Sequence, residues 1–103
     1  MKAVWMGVVA ASALLMVGTA QANADLAKAS GCMNCHTVDK KLVGPALKDI
    51  AAKYKDDAGA QAKLEEKVKK GSTGVWGPIA MPPNSNVSDA NIKTLVSFIL
   101  SLK

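Results

Sequence analysis

Two cysteines and the chain's single histidine stand within five consecutive positions, Cys32-Met33-Asn34-Cys35-His36, and no other Cys or His occurs in the 103 residues. Cys-x-x-Cys-His is the pattern of c-type haem attachment. Two thiols three residues apart on a helical turn reach the vinyl groups along one side of the ring and add across them as thioethers. The adjacent imidazole then binds the iron as proximal ligand. Other chemistries fit these residues less well. A structural zinc site needs four ligands, usually from two separated pairs. A thioredoxin-like dithiol expects a βαβ context, and none is visible. A plain Cys32–Cys35 disulfide would leave a small helical domain without a core filler.

What such a haem does depends on its sixth iron position. An open position binds small molecules or activates peroxide, whereas a side chain filling it favours electron exchange. Past the N-terminal segment the chain has two methionines, Met33 and Met81. Met33 lies inside the attachment motif and cannot fold back to the far face of the same ring. Met81 lies 45 residues after His36 in "GPIAMPPN", a segment poorly suited to ordinary core, where flanking prolines stiffen the chain. His36 and Met81 are therefore the expected axial pair, with His/Met ligation as the precedent.

These residues need a scaffold, and the sequence supplies a small one. Met1-Lys2 followed by the uncharged run Ala3–Val17 and small residues at Ala20-Gln21-Ala22 reads as a cleavable signal peptide over 1–22. Ala22-Asn23-Ala24 fits the same rule, so the mature chain starts at Asn23 or Asp25. The apolar run is shorter than the roughly 20 residues of a spanning helix. Removing residues 1–22 from 103 leaves 81 for the domain at 23–103. A domain of that size leans on a staple such as a cofactor. The formal charge is +5, from thirteen lysines, no arginine and eight carboxylates; without Lys2 it is +4. Lysine without arginine or exposed aromatic runs argues against nucleic acid and for solubility and steering toward acidic partners.

Glycine, proline and asparagine cut 23–103 into helical pieces. Asn23 or Asp25 is the expected cap of a first short helix carrying Leu26, Ala27 and Ser30. "TVDKKLVGP" reads as a loop, and Pro45 as the first residue of the next helix, with Leu47, Ile50, Ala51 and Tyr54 on one face. A third helix places Ala60, Leu64 and Val68 together, carries i, i+4 pairs Glu65–Lys69 and Glu66–Lys70, and stops at Gly71. Three glycines and three prolines between Gly71 and Asn86 exclude a long helix or central strand there. Ser88 caps a last helix with Ile92, Leu95, Val96, Ile99 and Leu102 in a stripe flanked by Phe98. The expected class is all-α.

On "GCMNCH", "VGPALKDIAAKY", "GSTGVWGPIAMPPN" and "TLVSFILSLK", residues 26–103 resemble the small bacterial class I monohaem cytochromes c, in particular the c-551/c-552 group. The resemblance implies the class I cytochrome c fold, four or five short helices wrapped around one haem c bound covalently through Cys32 and Cys35. It implies that the backbone carbonyl near Pro45 accepts from the ring of His36, the usual way to fix a ligand's tautomer and raise its basicity. It further implies that Trp76 donates to a haem propionate, that Asn84 donates to the Met81 sulfur, and that Lys67 lies near the propionates. Phe98 stands where relatives often carry tryptophan.

The expected function is a periplasmic one-electron carrier of a respiratory chain, itself no enzyme, cycling Fe(II)/Fe(III) between redox protein partners. A terminal oxidase or reductase is among the candidate partners. The alternative is a five-coordinate haem protein with ligand-binding or peroxidase-like activity, against which stands the lack of a distal histidine or arginine. Partners are expected over an apolar patch near the thioethers rimmed by lysines such as Lys28, Lys41 and Lys53. Neither nucleic acid nor stable membrane insertion is expected after cleavage, and the chain is expected to be a monomer, with a weak dimer as the alternative.

Overall fold

Apolar residues recurring at three and four positions give each helix one face to bury. In the computed structural model, which describes residues 23–103, four α-helices result: α1 (23–29), α2 (Leu47–Lys53), α3 (Ala60–Lys70) and α4 (Asp89–Leu100). A single 3-10 turn, Cys32–Asn34, follows α1. The expected signal peptide lies outside the described residues, and both expected caps, Asn23 and Asp25, are already helical. Among the described residues there is no strand, only one isolated antiparallel bridge between Ser72 and Met81. This is the expected all-α class, with two long irregular connections at 35–46 and 71–88.

α4 is the central element, packing against both α2 and α3. Its Ile92, Leu95, Val96 and Ile99 are buried as the stripe predicts, and Ile92, Val96 and Ile99 cluster with Leu47 and Ile50 of α2 and Leu64 and Val68 of α3. Phe98 and Leu102 pack against this cluster from its edge. Ser88 caps α4, its side chain accepting from Asn91 N at 3.2 Å.

Two local expectations are corrected. Pro45 does not start α2: Ala46 caps it in an extended conformation (ψ 142°) and the helix begins at Leu47. Instead of a side-chain cap, the first amides of α2 donate to the segment after His36, Leu47 N to Thr37 O at 2.8 Å and Lys48 N to Val38 O at 3.1 Å. These bonds satisfy donors that every helix start leaves orphaned. Of the two expected intrahelical pairs, Lys70–Glu66 forms at 3.6 Å, but Lys69 reaches Asp89 at 2.6 Å while Glu65 accepts from Gln61. The cation sits in the last turn of α3 and the carboxylate in the first turn of α4, where both helix dipoles favour them.

The start of α3 relies on Asp57, because its cap position is Gly59, without a side chain. Asp57 Oδ1 accepts from Gly59 N and Oδ2 from Lys63 Nζ, each at 2.8 Å. The Lys63 hydrogen bond, helped by the Gly59 amide, holds the Asp57 carboxyl below the usual carboxylate range. A carboxyl lowered on folding stabilises the fold above its unfolded value, about 3.9, and loses that contribution as pH falls through its folded value. Asp57→Ala should therefore lower the thermal midpoint at pH 7, with the gap to the parent protein narrowing below about pH 4. Melts of the two proteins across pH 2–7 check this; a gap independent of pH would contradict it.

Candidate haem site

The turn after α1 sets the attachment residues. Gly31, left-handed at φ 82°, redirects the chain into the 3-10 turn, and His36 N donates to Cys32 O at 3.0 Å. Cys32, Cys35 and His36 thereby face one cleft. The two thiols are half-buried and not joined to each other. Burial pushes the Cys32 thiol up, partly offset by a backbone hydrogen bond. A redox dithiol needs the opposite shift, toward thiolate, so the oxidoreductase reading of Cys-x-x-Cys gains no support.

His36 is 8% exposed, the one buried polar side chain among the described residues. Its Nδ1 donates to Pro45 O at 2.7 Å, which fixes the proton on Nδ1 and leaves Nε2 with its lone pair available to a metal. Gly44 N donates to Cys35 O at 2.7 Å, closing the same loop from the other side. The ring lies so close to Gly44 that an added Cβ would stand 2.6 Å from His36 Cε1 and 3.0 Å from Nδ1. Only glycine leaves the imidazole room there.

Met81, on the lining of the same cleft, is held by a separate segment of the chain. Ser72 N donates to Met81 O at 3.1 Å and Met81 N to Ser72 O at 2.9 Å. Gly71 precedes this bridge with φ 82°, and a Cβ on it would meet Met81 O at 2.6 Å. The residue that ends α3 is thus also the floor under the methionine segment.

The structure brings Cys32, Cys35, His36, Pro45, Lys67, Trp76 and Met81 onto the lining of one cleft of about 1010 Å³, counted with the solvent at its mouth. Trp76 is 40% exposed, too open for core packing. Asn84 does not line the cleft. Its Nδ2 donates to Val68 O at 3.1 Å and Pro82 O at 3.3 Å, and its backbone N to the same Val68 O at 3.0 Å. The expected bond to the Met81 sulfur is replaced by one to a carbonyl in the last turn of α3, a group that the helix itself leaves without a partner. Residues whose role the sequence reading missed are Gly44, Gly71 and Ser72. In the sequence Gly44 reads only as loop punctuation and Gly71 only as a helix stop, and neither stands next to the ligand that it crowds in the fold.

This donor set fits a covalently attached haem. Two thiols lie beside a buried imidazole with a free Nε2, in a cleft whose walls are largely aliphatic. Among the described residues no cluster of three or more His, Cys, Asp or Glu could hold a metal ion, whereas a haem brings the ring ligands of its iron with it.

The family profile described as cytochrome c matches residues 20–103. A cytochrome c-552 of Nitrosomonas europaea is 61% identical over 103 residues, covering 100% of both chains. The crystal structure of wild-type Nitrosomonas europaea cytochrome c552 superposes with a TM-score of 0.76 at 61% identity, over 78% of this chain and 99% of that one. A cytochrome c-551 of Pseudomonas aeruginosa is 55% identical over 78 residues, 76% of this chain and 74% of that protein.

Gly44→Ala should force the imidazole off Pro45 O and lower the yield of haem-loaded protein by about tenfold, the low end of what disturbing a ligand's outer partner costs in metal affinity. Gly59→Ala is the control, since its Cβ meets nothing nearer than 3.5 Å. Haem absorbance per mass of chain, measured for both variants after export, checks the expectation.

Proposed function

Because the chain belongs to the cytochrome c family and carries one haem c bound through Cys32 and Cys35, as an electron carrier, we propose that it works in the periplasm with His36 and Met81 as axial ligands. The observation that carries this reading is that the His36 ring, held by a backbone carbonyl, and Met81, whose main chain is paired with Ser72, both lie on the lining of one apolar cleft. The bound haem supplies the exchange of single electrons between Fe(II) and Fe(III). His36 keeps Nε2 unprotonated by donating from Nδ1. Met81 offers a soft thioether, which favours the ferrous state and raises the potential. The aliphatic walls act in the same direction, since an apolar surround penalises the extra positive charge of the ferric state.

The same inventory supports a carrier over a peroxidase-like protein. His36 is the sole histidine and there is no arginine, so neither a distal histidine nor an arginine is at hand to help break an O–O bond. Pro45 fixes the proximal ring, while Trp76 and Lys67 provide donors for the carboxylates of the haem. Exposed Leu42, Val43 and Ile79 are apolar side chains suited to brief docking of a redox protein, and the exposed lysines Lys28 and Lys41 are suited to speed encounter. Export is supported by the apolar N-terminal sequence; among the described residues no helix is long and apolar enough to cross a membrane.

Met81→Ala should lower the reduction potential, abolish the weak red sulfur-to-iron charge-transfer band of the ferric protein, and let added imidazole bind. An unchanged spectrum would show that another group holds the sixth position. The mass of the haem-loaded protein from the periplasmic fraction should correspond to a chain starting at Asn23 or Asp25; a mass that includes residues 1–22 would contradict the cleaved, freely diffusing carrier.

A further inference from the structure

The segment between Ser72 and Met81 is fastened at its ends and hardly anywhere between. Among the described residues, 73–80 make no hydrogen bond, backbone or side chain, to any other part of the chain. Cβ atoms added at Gly74 and Gly77, on either side of Trp76, would meet nothing within 4 Å. Yet Thr73, Gly74, Val75, Trp76, Ile79 and Ala80 all line the cleft, and Met81 lies at the end of the segment.

One polar contact ties this span to the helical body. The Lys53 ammonium, in the last turn of α2, lies 5.3 Å from the centroid of the Trp76 ring. Lys53 belongs to none of the four ion pairs among the described residues, so the indole face is its partner. A cation within about 6 Å of an indole centroid is attracted to its face. We propose that Lys53 is a positioning residue: through Trp76 it latches the 73–80 segment over the cleft and so limits how often Met81 leaves the sixth position. The latch rests on the reading of Met81 as ligand. It acts on the frequency of opening, because a bond across the span's free middle is lost whenever the span lifts.

The test uses the full haem-loaded protein and imidazole, a neutral probe whose approach a lost surface charge does not steer. An exposed cation–π contact of about 0.5–1 kcal/mol corresponds to an opening frequency changed about two- to fivefold. Lys53→Met should therefore raise the rate of imidazole binding to the ferric protein, and amide hydrogen exchange over 73–80, about two- to fivefold. Lys53→Arg, which keeps a cation over the ring, should leave both at parent values. In a Trp76→Leu background, Lys53→Met should change neither rate. A parent-like Lys53→Met, or an effect that persists without Trp76, would overturn the latch. The sulfur-to-iron band of the parent protein reports the ligand reading separately: its presence with a parent-like Lys53→Met rejects the latch alone, and its absence rejects the underlying ligation.

Discussion

The core of this protein and the walls of its haem cleft are the same side chains. Of the seven residues in the central cluster, Leu47, Ile50, Leu64, Val68, Val96 and Ile99 also line the cleft, and only Ile92 does not. A domain of this length has too little apolar surface to close a core on itself and keep a separate pocket. The haem is accordingly a packing partner of α2, α3 and α4 as much as a redox group. The arrangement of the helices follows: α4 contacts both neighbours, and the faces left over turn to one shared space.

Within that space the two proposed ligands are held by the main chain. His36 is oriented by a carbonyl and confined by a glycine, and Met81 is paired with Ser72 and seated on a glycine. Backbone groups suit this task because they have no rotamers to lose, and glycine permits approach closer than any side chain would. Asn84 takes part at one remove, by tying the chain just after Met81 to the end of α3.

What the sequence made legible was local. The faces of α2, α3 and α4 and the Ser88 cap depend on spacing over a few residues and appear in the structure as read, except that Tyr54 and Leu102 fall just past the ends of α2 and α4. The misreadings share a different cause. Lys69 has a partner four residues away and another twenty away, and the distant one wins because both helix ends favour it. Pro45 fits the first position of a helix by its own geometry, but its carbonyl is committed to His36, and the chain stays extended for one more residue. Asn84 bonds a carbonyl sixteen residues back, whose availability depends on where α3 stops. The tightness around Gly44 and Gly71 is invisible until the chain is folded.

The amides of Leu47 and Lys48 bonding to Thr37 and Val38, together with the His36–Pro45 bond, join residues nine or ten apart in sequence. Contacts that short close quickly, whereas the Met81 side of the cleft must wait for a chain closure of 45 residues. The attachment side is therefore closed by much shorter loops than the Met81 side. The two sides of the site thus differ in topology: the segment that receives the thioether bonds is shaped by its own neighbourhood, and the segment that brings the sulfur by contacts far along the chain.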